Sequence, residues 1–253
     1  TLLKKDTRIG YVEAAVLAGM GAAKVPVYRQ PKIVLLTTGD EVVEPGSPLP
    51  EGKIYNSNMT MLSARLRELG ITPFYMEAVK DDPHIMAEKL KEVAEQADMI
   101  ITTGGVSVGK KDIMHESLKL ISAERIFWRV KMKPGMPTLF SVYEGTPMLS
   151  LSGNPFGAAV SVDLLIRPMI QKLTQDNTLR PVRKKCTLTN DFGKSVGGRR
   201  YVRAVTDGET VTIPTKIHSN GILSTMAGCN CLIEMQKGKA GSHAGEEAEV
   251  LLL

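Results

Sequence analysis

Three short apolar runs in this chain each end in a glycine-bearing turn and lead on to a segment of helical periodicity. Residues 32–37 run into Thr37-Thr-Gly-Asp-Glu41, residues 99–103 into Thr102-Thr-Gly-Gly-Val-Ser-Val-Gly-Lys-Lys-Asp112, and residues 147–151 into Leu151-Ser-Gly-Asn-Pro155. A strand that is apolar along its length is buried on both faces, as in a parallel sheet. Crossovers between such strands are right-handed and place helices on the sheet faces. The expected fold class is therefore α/β, a three-layer and mostly parallel sheet. Ligands of such sheets bind beyond the carboxyl ends of the strands, where all three turns fall.

The remaining segments fill in that frame. Residues 9–18, with Val12, Val16 and Leu17 on one face and Gly19 and Gly21 after them, read as a short lead-in helix. Ser57 or Asn58 can cap a helix carrying Leu62, Leu66 and Leu69, which Gly70 ends. A strand is expected over 72–79, and Asp82-Pro83 opens a helix whose stripe is Met86, Leu90, Val93, Ala94 and Ala97. A helix follows Asp112, a strand spans 127–130, and a helix runs from Pro155 to about residue 173. Beyond a polar linker at 174–181, short strands at 184–189, 201–206, 210–216, 232–235 and 248–253 are separated by turn residues. The expected division is a lead-in over 1–30, an α/β domain over 31–176 and a small all-β C-terminal domain over 181–253.

Composition excludes several classes. A net charge of +5 is spread over predicted helices and loops beside 27 acidic residues, and aromatics make up 5%, so neither a basic stripe nor a base-stacking platform is present. No apolar run approaches the roughly 20 residues that span a bilayer, and no signal peptide opens the chain; a cytoplasmic protein with no nucleic-acid or membrane partner is expected. Cys186, Cys229 and Cys231 are odd in number with a C-x-C spacing, which matches neither a disulfide framework nor a zinc site, with or without His218 and His243.

The 102–112 turn suits a phosphorylated ligand. Gly104, Gly105 and Gly109 let backbone N–H groups approach an oxyanion, and Asp112 supplies a hard oxygen ligand of the kind Mg2+ takes beside phosphate. Asp82 before Pro83, Asn154 before Pro155, and Asn56 and Asn58 before a helix can equally be caps or turn residues.

With Asn56-Ser-Asn58 and Lys133-Pro-Gly-Met-Pro137, the three turns occur in the order and spacing of a known family. The chain resembles the molybdenum-cofactor-binding region of the molybdopterin molybdenumtransferases, the MoeA-type enzymes and the gephyrin E domain. The resemblance runs from about residue 7 to the C-terminus, where Gly228-Cys-Asn230 and the segment from Ala244 to Val250 also match; the family's two further N-terminal domains have no counterpart in this sequence. It implies an enzyme of molybdenum cofactor biosynthesis that takes adenylylated molybdopterin, releases AMP with the help of Mg2+ and places molybdate on the dithiolene. It also implies a homodimer and contact with other molybdenum-cofactor enzymes.

Carried over residue by residue, the resemblance assigns catalytic roles to Asp112, Asp81, Asp82 and Lys133, with Asp112 and Glu41 toward the metal. It assigns ligand contacts to Thr38, Gly39, Asp40, Glu41, Asn56, Asn58, Thr103, Gly104, Gly105, Ser107, Pro137, Ser152, Gly153, Asn154, Pro155, Arg199 and Ser219. The arginine before Tyr201 is either Arg199 or Arg200, and Asn220 belongs with Ser219. Three positions depart from the family pattern: Met136 stands for a second lysine, Ser152 for a proline and Gly157 for a hydroxyl-bearing residue; Lys110 and Lys111 also precede Asp112 where members often carry an acidic residue. Two other readings stay open. A molybdopterin adenylyltransferase would share the glycine-rich loop but not need residues 181–253, and a cofactor carrier or scaffold would bind without turnover.

Overall fold

The computed structural model describes residues 1–106, 112–193, 198–214, 219, 221–236 and 241–253. The first part of the chain reads α1 (Tyr11–Gly19), β1 (Ile33–Thr38), β2 (Val42–Val43), β3 (Ile54–Tyr55), α2 (Ser57–Glu68), β4 (Tyr75–Val79), α3 (Pro83–Ala94), β5 (Met99–Thr103), α4 (Ile113–Leu120), β6 (Glu124–Trp128), β7 (Met132–Lys133), β8 (Leu139–Tyr143), β9 (Thr146–Leu151), α5 (Pro155–Ser161) and α6 (Arg167–Thr174). A π-helical turn, Val162–Ile166, joins α5 to α6, so the helix expected from Pro155 is continuous through Thr174.

The main sheet has the order β4-β1-β5-β9-β8-β6. The pairs β1–β4, β1–β5 and β5–β9 are parallel. Strands β8 and β6 are antiparallel additions at one edge. The hairpin strand β8 is absent from the sequence reading, although Glu144-Gly145 after it makes the two-residue turn to β9, and β6 begins three residues before the expected 127. The two faces of β1 explain its continuous apolar run: Val34 and Leu36 join the core beneath α3 and α4, whereas Ile33 and Leu35 join the core beneath α2, α5 and α6. This is the three-layer α/β architecture, with α3 and α4 on one side and α2, α5 and α6 on the other.

The second part contains β10 (Arg183–Leu188), β11 (Arg199–Thr206), β12 (Thr210–Thr212), β13 (Cys231–Met235) and β14 (Glu247–Leu252). Their order is β12-β10-β14-β13-β11, and β12 also pairs with β11, so the strands close into a small barrel around Leu188, Val202, Val211, Ile233 and Val250. Of the strand expected over 210–216, residues 215 and 216 lie outside the described residues.

The two parts are tied together at three places. β7 leaves the α/β part and pairs in parallel with β11, so Lys133 lies beside Arg200. Met132, Phe156 and Val160 share an apolar cluster with Tyr201, Leu232 and Leu251. Arg167 donates from Nε to the Leu179 carbonyl (2.8 Å), from Nη1 to Leu252 (3.2 Å) and from Nη2 to Arg180 (3.4 Å). The stretch 174–181, expected to be a polar linker, is thus pinned, and Leu179 enters the α/β core. Helix α1 forms where expected but buries none of its residues; its apolar face lies open, and Arg8 before it is held by Thr178 and Asp176.

Candidate active site

At the carboxyl ends of β1, β5 and β9 the chain makes three close approaches. Gly104 (φ +95°) follows β5, and a Cβ there would lie 2.1 Å from the Thr38 carbonyl oxygen at the end of β1. On its other side the Gly104 N–H bonds the Leu151 carbonyl at the end of β9. Gly104 is therefore the point where three strand ends converge, and only glycine can lie there. Gly105 (φ +64°) continues the turn, and its carbonyl accepts from Met114 N at the start of α4. Ser107, Gly109, Lys110 and Lys111 lie outside the described residues, as does Asn220.

Around this point the side chains separate into those spent on the fold and those with capacity left. Asn56, 2% exposed, caps α2 through Oδ1 to Met59 N and donates both amide hydrogens, to Thr37 Oγ1 (2.9 Å) and Glu44 Oε1 (2.7 Å). That uses its principal donors and acceptor. Asn56, proposed from the sequence as a ligand contact, is a structural post, and it rather than Ser57 or Asn58 caps α2. Asp82 is likewise committed: its Oδ1 accepts from His84 N and Ile85 N at the start of α3, and the Ile85 backbone bond heads the causes that hold its carboxyl below the ordinary range.

Asn58 behaves differently. Its Nδ2 donates to Thr103 Oγ1 (3.1 Å) and to the Gly153 carbonyl (2.8 Å), tying β5 to the turn after β9, while its Oδ1 is buried without a partner. Thr103 passes the contact to the Ser152 carbonyl, and Thr38 donates to Asp81 Oδ1 (3.1 Å). Asp112 occupies the capping position of α4 but makes no capping bond; its Oδ1 is buried without a partner, and Oδ2 lies 3.5 Å from His115 Nε2. Burial pushes the Asp112 carboxyl up, against the opposing influence of His115. Two buried oxygen acceptors are left unsatisfied at the starts of α2 and α4, and because an unmade buried hydrogen bond costs ~1–3 kcal/mol each can take a donor, and Asp112 a cation.

Glu41 is exposed, and its carboxylate folds back over Gly39; Asp40 offers its carbonyl to Lys53 Nζ (2.6 Å). Among the described residues no three His, Cys, Asp or Glu side chains cluster as a metal cage. A metal here would have one or two carboxylates, with phosphate and water supplying the rest, which is the usual Mg2+ arrangement. Asn154 and Pro155 open α5; the Asn154 side chain is exposed and makes no cap, while Asn154 N bonds Ser152 Oγ (3.2 Å).

The loop after β7 lies close against α5. A Cβ on Gly135 would meet Ser161 Oγ at 2.9 Å and the Gly157 carbonyl at 3.2 Å, and a Cβ on Gly157 would meet Gly135 N at 3.3 Å. Gly157 thus allows the Lys133–Pro137 loop its approach. Lys133 is exposed, Pro137 is half-buried, and Met136 is 45% exposed rather than packed in the core.

From the barrel, Arg199 pairs its Nε with Glu234 (3.1 Å), a carboxylate also bound by Arg183; Arg199 is an outward strut of β11. The buried arginine is one that sequence reasoning missed. Arg203, 1% exposed, donates to the carbonyls of Ser219 (2.6 Å) and Ile222 (3.0 Å) and lies 4.1 Å over the Phe156 ring. It fixes the Ser219 segment against the start of α5. The alternation in β11 did not flag it: Val202 and Ala204 face the barrel core, whereas Arg203 lies on the outer face with Tyr201, a face that α5 covers through Phe156. The cysteines are free, and burial pushes the Cys231 thiol up to about 12.

Residues 34–172 match the family described as a probable molybdopterin binding domain, and residues 185–253 match the MoeA C-terminal region, domain IV. A molybdopterin molybdenumtransferase from Bacillus subtilis is 33% identical over 255 residues, covering 100% of this chain and 59% of the relative. One from Staphylococcus aureus strain COL is 33% identical over 254 residues, with 99% and 61% covered. The chain thus spans about three fifths of the length of these curated relatives. Two structures of the MoeA protein from Pyrococcus horikoshii share the fold with TM-scores of 0.86 and 0.80, at 25% and 24% identity, covering 99% and 100% of this chain and 61% and 62% of theirs.

Proposed function

The chain belongs to the molybdopterin-binding family and continues into a MoeA-type C-terminal region, and from that premise we propose that it is the substrate-holding part of a molybdopterin molybdenumtransferase. In this reading the substrate is adenylylated molybdopterin, the co-substrate is molybdate, and AMP leaves as the pyrophosphate link is hydrolysed. The observation that carries the proposal is the pair of unsatisfied buried acceptors, Asn58 Oδ1 and Asp112 Oδ1, at the strand-end turn that Gly104 makes possible.

The residues divide the work by their chemistry. In the turn after β5 the Gly105 N–H would serve the phosphate, the Gly104 N–H being spent on the Leu151 carbonyl, and Asn58 Oδ1 would accept a hydrogen bond from the pterin or the ribose. Asp112, with Asp81 and Glu41 as further carboxylates, would hold Mg2+, which when bound neutralises phosphate charge and polarises water. Asp112 Oδ1 also accepts a hydrogen bond from the attacking water. Lys133 offers a point charge to molybdate from a loop fixed between α5 and the barrel. Arg203 fixes Ser219 by its carbonyl beside the start of α5. A homodimer in the cytoplasm that hands its product to molybdenum-dependent enzymes completes the proposal. No helix among the described residues is long and apolar enough to cross a membrane.

The barrel weighs against a molybdopterin adenylyltransferase, which has no use for residues 181–253. The test is release of AMP from adenylylated molybdopterin by the full-length protein, with and without molybdate and Mg2+. Tight binding without AMP release would make the protein a carrier or scaffold instead.

A further inference from the structure

His115 has no place in the reading above, yet its surroundings are specific. It lies one turn into α4, with its Nε2 buried, without a hydrogen-bond partner, and facing Asp112 Oδ2 at 3.5 Å. Its Nδ1 lies 3.5 Å from Arg125 Nη1 on β6. A guanidinium only donates, so in this contact Nδ1 accepts, which leaves a ring proton on Nε2, toward the Asp112 carboxylate. The ring is also fixed sideways: it meets Trp128 edge-on, with centroids 4.6 Å apart and planes at 86°. Arg129 Cζ lies 4.2 Å over the Trp128 ring, and Arg129 N bonds the Thr138 carbonyl of the adjoining loop.

We propose that His115 is a positioning residue for Asp112, an imidazole whose otherwise unpartnered Nε2 faces Oδ2 and so biases Oδ1 toward the ligand. The proposal rests on the reading that Asp112 is the metal-side carboxylate. Asp112 gains from such a guide because its carboxylate, unlike that of Asp82, makes no full capping bond, and the His115 backbone is the one group of its own helix that bears on it. A carboxylate that rotates freely loses ligand affinity through the entropy of being fixed at the moment of binding. Partners behind a metal ligand set its affinity by roughly ten- to hundredfold, so His115 should be worth about tenfold at the weaker end. Arg125 and Trp128 act at one remove, by fixing the tautomer and the ring plane.

The probe is Mn2+, followed by electron paramagnetic resonance in the presence of AMP, on the full-length wild-type protein and on Asp112→Asn, His115→Leu and His115→Gln, with thermal unfolding measured in parallel. Asp112→Asn should abolish binding, His115→Leu should weaken it about tenfold with the unfolding midpoint little changed, and His115→Gln, whose amide can still donate to Oδ2, should recover to within about threefold. Loss in Asp112→Asn with wild-type affinity in His115→Leu would overturn the positioning role and leave the metal reading standing. Wild-type affinity in Asp112→Asn would overturn both. If His115→Leu fails to fold, His115→Gln alone decides, since a tenfold loss in a folded Gln variant contradicts donation to Oδ2 as the basis of the effect.

Discussion

Replacing Gly104 by alanine tests the geometry of the site with a single methyl group. The new Cβ would stand 2.1 Å from the Thr38 carbonyl oxygen, far inside van der Waals contact, and the oxygen belongs to the end of a buried central strand. Thr38 cannot withdraw without disturbing its pairing with Val79 on β4. Two costs add: a non-glycine residue at φ +95° costs roughly 1–3 kcal/mol, and relieving the overlap by backbone displacement costs about as much again. The expected loss is ~3–5 kcal/mol, which for a chain of this size lowers the melting temperature by about 6–20 °C. Gly153→Ala is the matched control, because its Cβ would come no nearer than 3.4 Å to Gly104 Cα, and ~1 kcal/mol or less is expected. The assay is thermal and urea unfolding of both variants, with nucleotide affinity alongside. A Gly104→Ala protein within ~1 kcal/mol of the wild type would refute the convergence of the three strand ends at this residue.

Four further outcomes follow from the same contacts. Asp112→Asn should cut Mg2+-dependent AMP release by about a hundredfold or more, checked by single-turnover kinetics; near wild-type release would reduce Asp112 to a turn residue. Without divalent metal the raised carboxyl of Asp112 favours its neutral form, so its contribution is fully present below the ordinary carboxyl range and lost as pH rises through the raised value. Asp112→Asn should therefore be the more stable protein at pH 7, with the difference vanishing toward pH 4 in pH-dependent melting. Met136→Lys should tighten molybdate about tenfold, a gain of ~1.4 kcal/mol for a cation on an exposed stem, read from the concentration giving half-maximal cofactor formation. Arg167→Ala should cost ~3 kcal/mol or more, because it strips three carbonyls of their donor and leaves Asp163 with one fewer cation; urea unfolding with separate probes in the two parts would register it.

Much of the architecture was legible because it rests on local rules. Glycine turns after apolar runs marked the strand ends, and Pro83 and Pro155 marked helix starts that α3 and α5 obey. What escaped depends on partners distant in sequence. Strand β8 is specified by its pairing with β9 and β6, and Asn56 looks like Asn58 until Thr37 and Glu44 are seen to consume it. Arg203 is three or four positions from the arginine expected before Tyr201, Arg200 or Arg199, and indistinguishable from a surface residue by composition; only the approach of Phe156 and Ser219 identifies it. The site residues with capacity left are those whose local bonding is incomplete, which no sequence pattern displays.

The pairing of β7 with β11 makes the boundary between the two parts something other than a seam. Two residues from the middle of the α/β segment are an edge strand of the barrel, so a chain cut at residue 181 would leave β11 with a bare flank, able to recruit a foreign strand. Within the intact chain the same ladder makes Met132 and Lys133 members of both parts at once, so the loop that carries Lys133 and Met136 is held by the barrel at one end and packed on α5 through Gly135 at its middle.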